Sequence, residues 1–252
     1  MDRKKDIKII KKKILIFIPA YNVEKNIFNL VKNIPEKIFQ KNLITLLIVN
    51  DKSADGTISE IKKIKKNFKY KIIVINNKRN AGYGGVQKIA YNFATSHFYD
   101  FVIMLHGDGQ YKPKKIPMFI KSLGEKNISA VFGSRMWSYN SALKGGMPIY
   151  KFIGNIFLTK IQNFILGSNM SEFHSGYRSY KISCLKRIKF NKYSNNFHFD
   201  TEIIIGFLKE NMNIKEIPIP TVYKDQISHL KSIPYGLNVL RVTVKSKFNK
   251  DI

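Results

Sequence analysis

The chain has 252 residues, with 44 Lys+Arg against 17 Asp+Glu and a formal net charge of +27. That length suits one α/β domain with its own core, and the charge calls for an anionic setting: nucleic acid, anionic lipid or a polyanionic substrate. Zinc-finger spacing, an aromatic RNP-like run and a basic zipper are all missing, so no nucleic acid is expected. The single Cys184 excludes a disulfide framework, and no apolar stretch of about 20 residues predicts a transmembrane helix or a secretory signal.

A basic extension, residues 1–12, precedes an apolar run at 14–18 that leads into Pro19, Ala20, Tyr21 and Asn22. A second run, 43–49, leads into the polar stretch 50–57. Residues 55–66 then repeat Ile58, Ile61 and Ile64 among lysines, a helical spacing with Asp55 or Ser53 as N-cap. The run 72–75 leads into 76–85, and 85–97 is a second helix candidate. A fourth run opens residues 101–111, FVIMLHGDGQY. Strand and helix patterns in alternation predict βαβ units and a mostly parallel sheet flanked by helices, so the fold class is α/β. Ligands of such sheets bind beyond the carboxyl ends of the strands, where these polar clusters fall.

The HGDGQ turn carries the most chemistry. Asp108 and Gln110 offer oxygen ligands to a hard cation, and Gly107 and Gly109 let the backbone bend near a bulky phosphate. Next comes the run Ala130, Val131, Phe132, which delivers Arg135 toward the same crevice with a guanidinium suited to phosphate oxygens. Residues 148–166 read either as an interfacial helix, with Ile149, Phe152, Ile153, Ile156, Phe157, Ile161, Phe164 and Ile165 beside Lys151 and Lys160, or as a core helix. Asp200, Thr201 and Glu202 open a helix over 202–211. Residues 214–219 form a strand whose pairing Pro218 and Pro220 limit, and 232–247 form a closing helix. Tyr223, Lys224 and His229 are candidates for a lid or acceptor site.

Six clusters in this order resemble family 2 glycosyltransferases: PAYN with Glu24, NDKSADGT, the run 79–85, GDGQ, Gly133-Ser134-Arg135, and SEFHSGYR at 171–178. The last two are similar to the branch containing dolichyl-phosphate mannosyl- and glucosyltransferases. The resemblance spans residues 13–225. It implies a GT-A fold, a single Rossmann-like domain over 13–231 followed by a helix and tail over 232–252. It also implies an inverting transfer from a nucleotide-activated sugar, a UDP- or GDP-sugar.

On that resemblance, Pro19, Tyr21, Asn22, Glu24, Asp51, Arg79, Asn80 and Gly82 line the nucleotide pocket. Asp108 and Gln110 hold a divalent cation, Mg²⁺ or Mn²⁺. His106 stands where the family usually has an acidic residue; it is a metal ligand, a sugar contact, or a structural group that supports the ligands from behind. Arg135 and Arg178 act at phosphate or the acceptor loop, and Lys151 lies near the position of a second phosphate-binding cation. A polyprenyl phosphate is the expected acceptor, and a glycan hydroxyl is the alternative. A polyprenyl phosphate on the cytosolic face of an anionic membrane is already ionised and needs only positioning. A glycan hydroxyl needs a base, for which Glu172, Asp200 and Glu202 are candidates. A non-enzymatic nucleotide- or polyanion-binding protein is the third reading.

Overall fold

The computed structural model describes residues 11–223 and 232–248. Its core follows from the two-residue period of the apolar runs. In β1 (Lys13–Ala20), Ile14, Ile16 and Ile18 enter one apolar cluster, while Leu15 and Phe17 enter the other. In β2 (Leu43–Asn50), Leu46 and Ile48 face the first cluster and Leu47 and Val49 the second. Strands with no polar face must be covered on both sides, and parallel strands are.

Five more strands complete one sheet: β3 (Lys71–Asn76), β4 (Phe101–Met104), β5 (Ala130–Ser134), β6 (Arg178–Lys181) and β7 (Ile214–Pro218), ordered β3-β2-β1-β4-β6-β5-β7. All neighbours are parallel except β6, which is antiparallel to both β4 and β5. The helices Thr57–Asn67 and Ile116–Leu123 cover one face through Ile61, Ile64, Phe119 and Leu123. The helices Tyr83–Ser96 and Phe199–Lys209 cover the other through Val86, Tyr91, Phe199 and Ile203.

This arrangement positions the site. The carboxyl ends of β1, β2, β4 and β5 share one edge, and β6, running the other way, begins there. The polar clusters after four strands and the SEFHSGYR segment before a fifth therefore converge. β6 has no counterpart among the expected strands, because its RSYK sequence is short and opens with a charge. The helix expected over 202–211 starts earlier, at Phe199.

The helix Ile149–Leu166 is inverted. Its buried residues are Asn155, Thr159 and Gln162, whereas Ile153 and Phe157 are each 59% exposed and Phe164 is 89% exposed. The core-helix reading is therefore corrected. The helix Ser232–Phe248 packs beside it, burying Val239, Thr243 and Ser246 and leaving Ile233, Leu237 and Phe248 exposed. No helix among the described residues is long and apolar enough to cross a membrane. Residues 1–10 of the basic extension, together with Lys224 and His229, lie outside the described residues.

Candidate active site

A cleft of about 970 Å³ opens along the carboxyl edge of the sheet, large enough for a nucleotide and a second ligand. Its first end is built by Asp51, buried at the tip of β2. Oδ1 of Asp51 accepts from Asn77 Nδ2 at 2.7 Å and from the Ala81 amide at 2.8 Å, and Oδ2 accepts from the Gly82 amide at 3.2 Å. One carboxylate thus reels in the loop after β3. Gly82 sits there at φ +78, and a Cβ would meet the Asn195 carbonyl oxygen at 2.7 Å, so only glycine fits. Asn80 and Gly82 line the cleft as expected. Arg79 is corrected: between the Asn77 and Ala81 anchors it is left exposed and does not border the cleft.

Pro19, Tyr21, Asn22 and Glu24 form the opposing wall. Asn22 takes a positive φ of 52, which its short amide tolerates. Its Oδ1 accepts from the Ala54 amide at 2.9 Å, and its own amide donates to Ser53 Oγ at 3.0 Å. Glu24 Oε2 accepts from the Gly56 amide at 2.6 Å. Asp55 Oδ1 accepts from the Thr57 amide and hydroxyl, the expected capping role, and these bonds hold its pKa below the ordinary value against the opposing effect of burial.

The turn after β4 brings His106, Asp108 and Gln110 to the middle of the cleft. The Gly109 amide donates to the His106 carbonyl at 3.3 Å with φ +75 at Gly109, and the Gln110 amide donates to Asp108 Oδ1 at 2.9 Å. Asp108 Oδ2 makes no hydrogen bond among the described residues. Burial pushes the His106 pKa down, opposed by the carboxylates of Asp108 and Asp200. Among the described residues no three His, Cys, Asp or Glu side chains gather to hold a metal. The donor set of one carboxylate, one amide and one imidazole fits an open divalent site that a diphosphate would complete, not a closed cage.

The far end holds Arg135 and Lys151. Arg135 Nε donates to Glu172 Oε1 at 2.9 Å, Nη2 donates to the same oxygen and to the His174 carbonyl at 3.0 Å, and Nη1 donates to the Tyr223 hydroxyl at 3.1 Å. Lys151 Nζ lies 5.3 Å from the centroid of the same Tyr223 ring. Two cations thus flank one phenol.

The three candidate base carboxylates are each engaged by neighbouring groups. Glu172 does not line the cleft; besides Arg135 it takes the Asn155 Nδ2 at 2.9 Å. Burial alone would raise its pKa, but Arg135 holds it below the ordinary value. Asp200 borders the cleft, yet Oδ1 takes Gln87 Nε2 and Oδ2 takes the Tyr83 hydroxyl, each at 2.9 Å. Glu202 accepts from the Ser194 amide at 2.7 Å away from the cleft, and burial raises its pKa. Arg178 is corrected too. It is 1% exposed and donates to the carbonyls of Ser175, Asp200 and Phe173, so it shapes the loop before β6 and does not reach the cleft.

Sequence reasoning missed Tyr83, His174 and Tyr235. His174 Nδ1 is 3.0 Å from the Tyr235 hydroxyl, its buried Nε2 has no partner among the described residues, and burial pushes its pKa down to about 4. The SEFHSGYR motif already displayed His174. Tyr235 carried no signal, because its helix reaches the cleft only through tertiary packing.

A mostly parallel sheet with one antiparallel strand, whose edge holds two opposed polar ends around a central carboxylate turn, defines a glycosyltransferase of the GT-A fold. The Glycosyl transferase family 2 profile matches residues 15–189, and the chain belongs to that family. It is 32% identical to the uncharacterized protein MJ1222 of Methanocaldococcus jannaschii over 92% of this chain and 88% of the relative. It is 29% identical to the UDP-N-acetylglucosamine–dolichyl-phosphate N-acetylglucosaminyltransferase of Methanococcus voltae over 91% of each chain. The fold is shared with glucosyl-3-phosphoglycerate synthase from Mycobacterium tuberculosis, solved with Mn²⁺, UDP and phosphoglyceric acid: TM-score 0.67, 13% identity, 94% of this chain and 78% of that one.

Proposed function

We propose that this glycosyltransferase moves a sugar from a UDP- or GDP-sugar to a polyprenyl phosphate at an anionic membrane surface, with inversion and with a divalent cation. The observation that carries the acceptor is the fate of the carboxylates. Glu172 and Asp200, which a hydroxyl acceptor would need as bases, are both committed to buried arginines. Arg135 and Lys151 line the cleft instead. A phosphate is its own nucleophile, and what it requires is orientation by cations. The relative from Methanococcus voltae, by its name, acts on dolichyl phosphate.

In this reading Asp51, Asn80 and the 19–24 segment seat the nucleotide. Asp108 and Gln110 would hold Mg²⁺ or Mn²⁺, which when bound neutralises charge on the departing diphosphate. Arg135 keeps one Nη1 N–H without a partner among the described residues after four hydrogen bonds, and Lys151 adds an ammonium; together they orient the attacking phosphate oxygen in line with the anomeric carbon. The apolar exterior of Ile149–Leu166 and Ser232–Phe248, on a chain of net charge +27, supports docking in an anionic interface.

The test is nucleoside diphosphate release from a panel of UDP- and GDP-sugars, with and without short-chain polyprenyl phosphate, repeated with chelator. Lipid-stimulated, chelator-sensitive release is expected. Release indifferent to lipid would overturn the acceptor, and nucleotide binding with no release under any condition would overturn the transfer itself.

A further inference from the structure

Tyr83, in the first turn of the helix Tyr83–Ser96, stands between two cleft residues. Its hydroxyl is 2.9 Å from Asp200 Oδ2 and 3.4 Å from His106 Nε2. Asp200 is buried, its Oδ2 lies 3.4 Å from Arg178 Nε, and its Oδ1 takes the Gln87 amide. A carboxylate paired in this way only accepts hydrogen bonds, so the single Tyr83 proton belongs to Asp200. Toward His106 the phenol then offers lone pairs alone. A neutral imidazole answers that acceptor with Nε2–H, which leaves the lone pair on Nδ1. The 3.4 Å separation is at the long end for a hydrogen bond.

The ring is fixed on its other sides. Tyr111 meets it edge to face at 5.0 Å, and its hydroxyl accepts from the Gly176 amide at 2.7 Å. At Gly176 a Cβ would stand 2.6 Å from both Cε1 and Nε2 of His106, so the absence of a side chain there makes the seat for the imidazole. Nδ1 makes no hydrogen bond among the described residues, His106 lines the cleft, and Asp108 follows it in the same turn.

We propose that the Asp200–Tyr83–His106 chain locks His106 as the Nε2–H tautomer, so that Nδ1 joins Asp108 and Gln110 as the protein's ligands for the divalent cation. This rests on the cation reading above. A neutral nitrogen here replaces an oxygen anion. The site then holds the ion with one carboxylate, prefers Mn²⁺, which imidazole suits, over Mg²⁺, and binds it tightly only together with a diphosphate. Tyr83 and Asp200 are positioning residues; His106 is the ligand. An outer hydrogen bond of this kind typically changes metal affinity by about 10–100-fold.

The experiment uses the full chain with ¹⁵N-labelled histidine. NMR of the metal-free protein reads the tautomer directly, and pulsed EPR of added Mn²⁺, alone and then with UDP or GDP, reads nitrogen coordination. The expected results are an Nε2–H signal for His106 and a ligating nitrogen that His106→Ala removes. Tyr83→Phe should weaken Mn²⁺ about 10-fold while metal-free nucleotide binding persists, and His106→Asp should tighten Mn²⁺ and erase the sensitivity to Tyr83→Phe. An Nδ1–H tautomer in the unaltered protein, a Mn²⁺ spectrum without nitrogen coupling, or a Tyr83→Phe loss that persists beside His106→Asp would each overturn the proposal. These signals are read without turnover, so a failed transfer assay does not decide them.

Discussion

Arg135 and Glu172 meet as a buried ion pair directly behind the cleft wall. The Arg135 amide donates to Glu172 Oε2 at 2.6 Å while its guanidinium takes Oε1 through Nε and Nη2. Glu172→Ala would leave a buried guanidinium uncompensated, and the expected loss is about 3–5 kcal/mol of folding stability. Denaturant unfolding measures it. A variant that loses turnover with unchanged stability would instead restore Glu172 as a base.

Asp108 bears on chemistry and little on the fold, because among the described residues its side chain accepts one hydrogen bond, from the Gln110 amide two residues on. Asp108→Asn should lower turnover by at least about 10²-fold and shift stability by no more than about 0.5 kcal/mol. Steady-state rates beside thermal unfolding check both. Retained turnover would remove Asp108 from the cation site.

Gly154 lies on the cleft wall, yet nothing stands within 4 Å of where its Cβ would be. On the proposed polyprenyl phosphate acceptor, that open space on the cleft wall is the predicted path of the first isoprene units. Gly154→Trp should raise the KM for a short-chain polyprenyl phosphate at least about tenfold, equivalent to about 1.4 kcal/mol. Nucleotide affinity by calorimetry should not change, and an unchanged lipid KM would place the chain elsewhere.

His174 makes stability depend on pH. Its native pKa of about 4 lies below the ordinary 6.5, because burial beside Arg135 and Arg178 outweighs the attraction of Glu172. Between those values the unfolded chain binds the extra proton, so the contribution is complete above pH 6.5 and is lost as pH falls toward 4. The slope is at most about 1.4 kcal/mol per pH unit. Burial shifts His106 and His198 in the same direction. His174→Asn should flatten the stability profile between pH 6.5 and 4 without abolishing its slope, as denaturation at a series of pH values will show.

Ile153 and Phe157 project from an inverted helix whose polar side is internal. Replacing both with Glu should leave short-chain acceptor turnover nearly intact. Sedimentation with anionic vesicles should fall at least about tenfold, since burial of each side chain is worth about 1.5–3 kcal/mol. Raised salt should release the unaltered protein from the same vesicles. Unchanged vesicle binding would put the membrane contact on another face.

Much of the scaffold was legible in local patterns. Ile14 to Ile18, Leu46 to Val49 and Phe101 to Met104 are continuous apolar runs because both faces of a parallel strand are covered. The polar residues that end them, Asn22, Asp51 and Asp108, are adjacent in sequence to the strands that deliver them. Such signals need no knowledge of distant neighbours, and they sufficed for the α/β class and for which loops meet at the carboxyl edge of the sheet.

Distant packing decided the rest. Glu172 and Arg178 are charged groups in a motif at the cleft edge, but in the fold Arg135 engages the first and the carbonyls of Phe173, Ser175 and Asp200 engage the second. The helix Ile149–Leu166 showed its apolar residues in sequence, but which side faced inward depended on whether Glu172 stood ready to receive Asn155. The same holds for His106, whose meaning rests on Tyr83 and Asp200, 23 residues before it and 94 after. A side chain's type is written locally. Whether its charge or proton is available to a ligand is set by partners that only the folded chain brings within hydrogen-bonding distance.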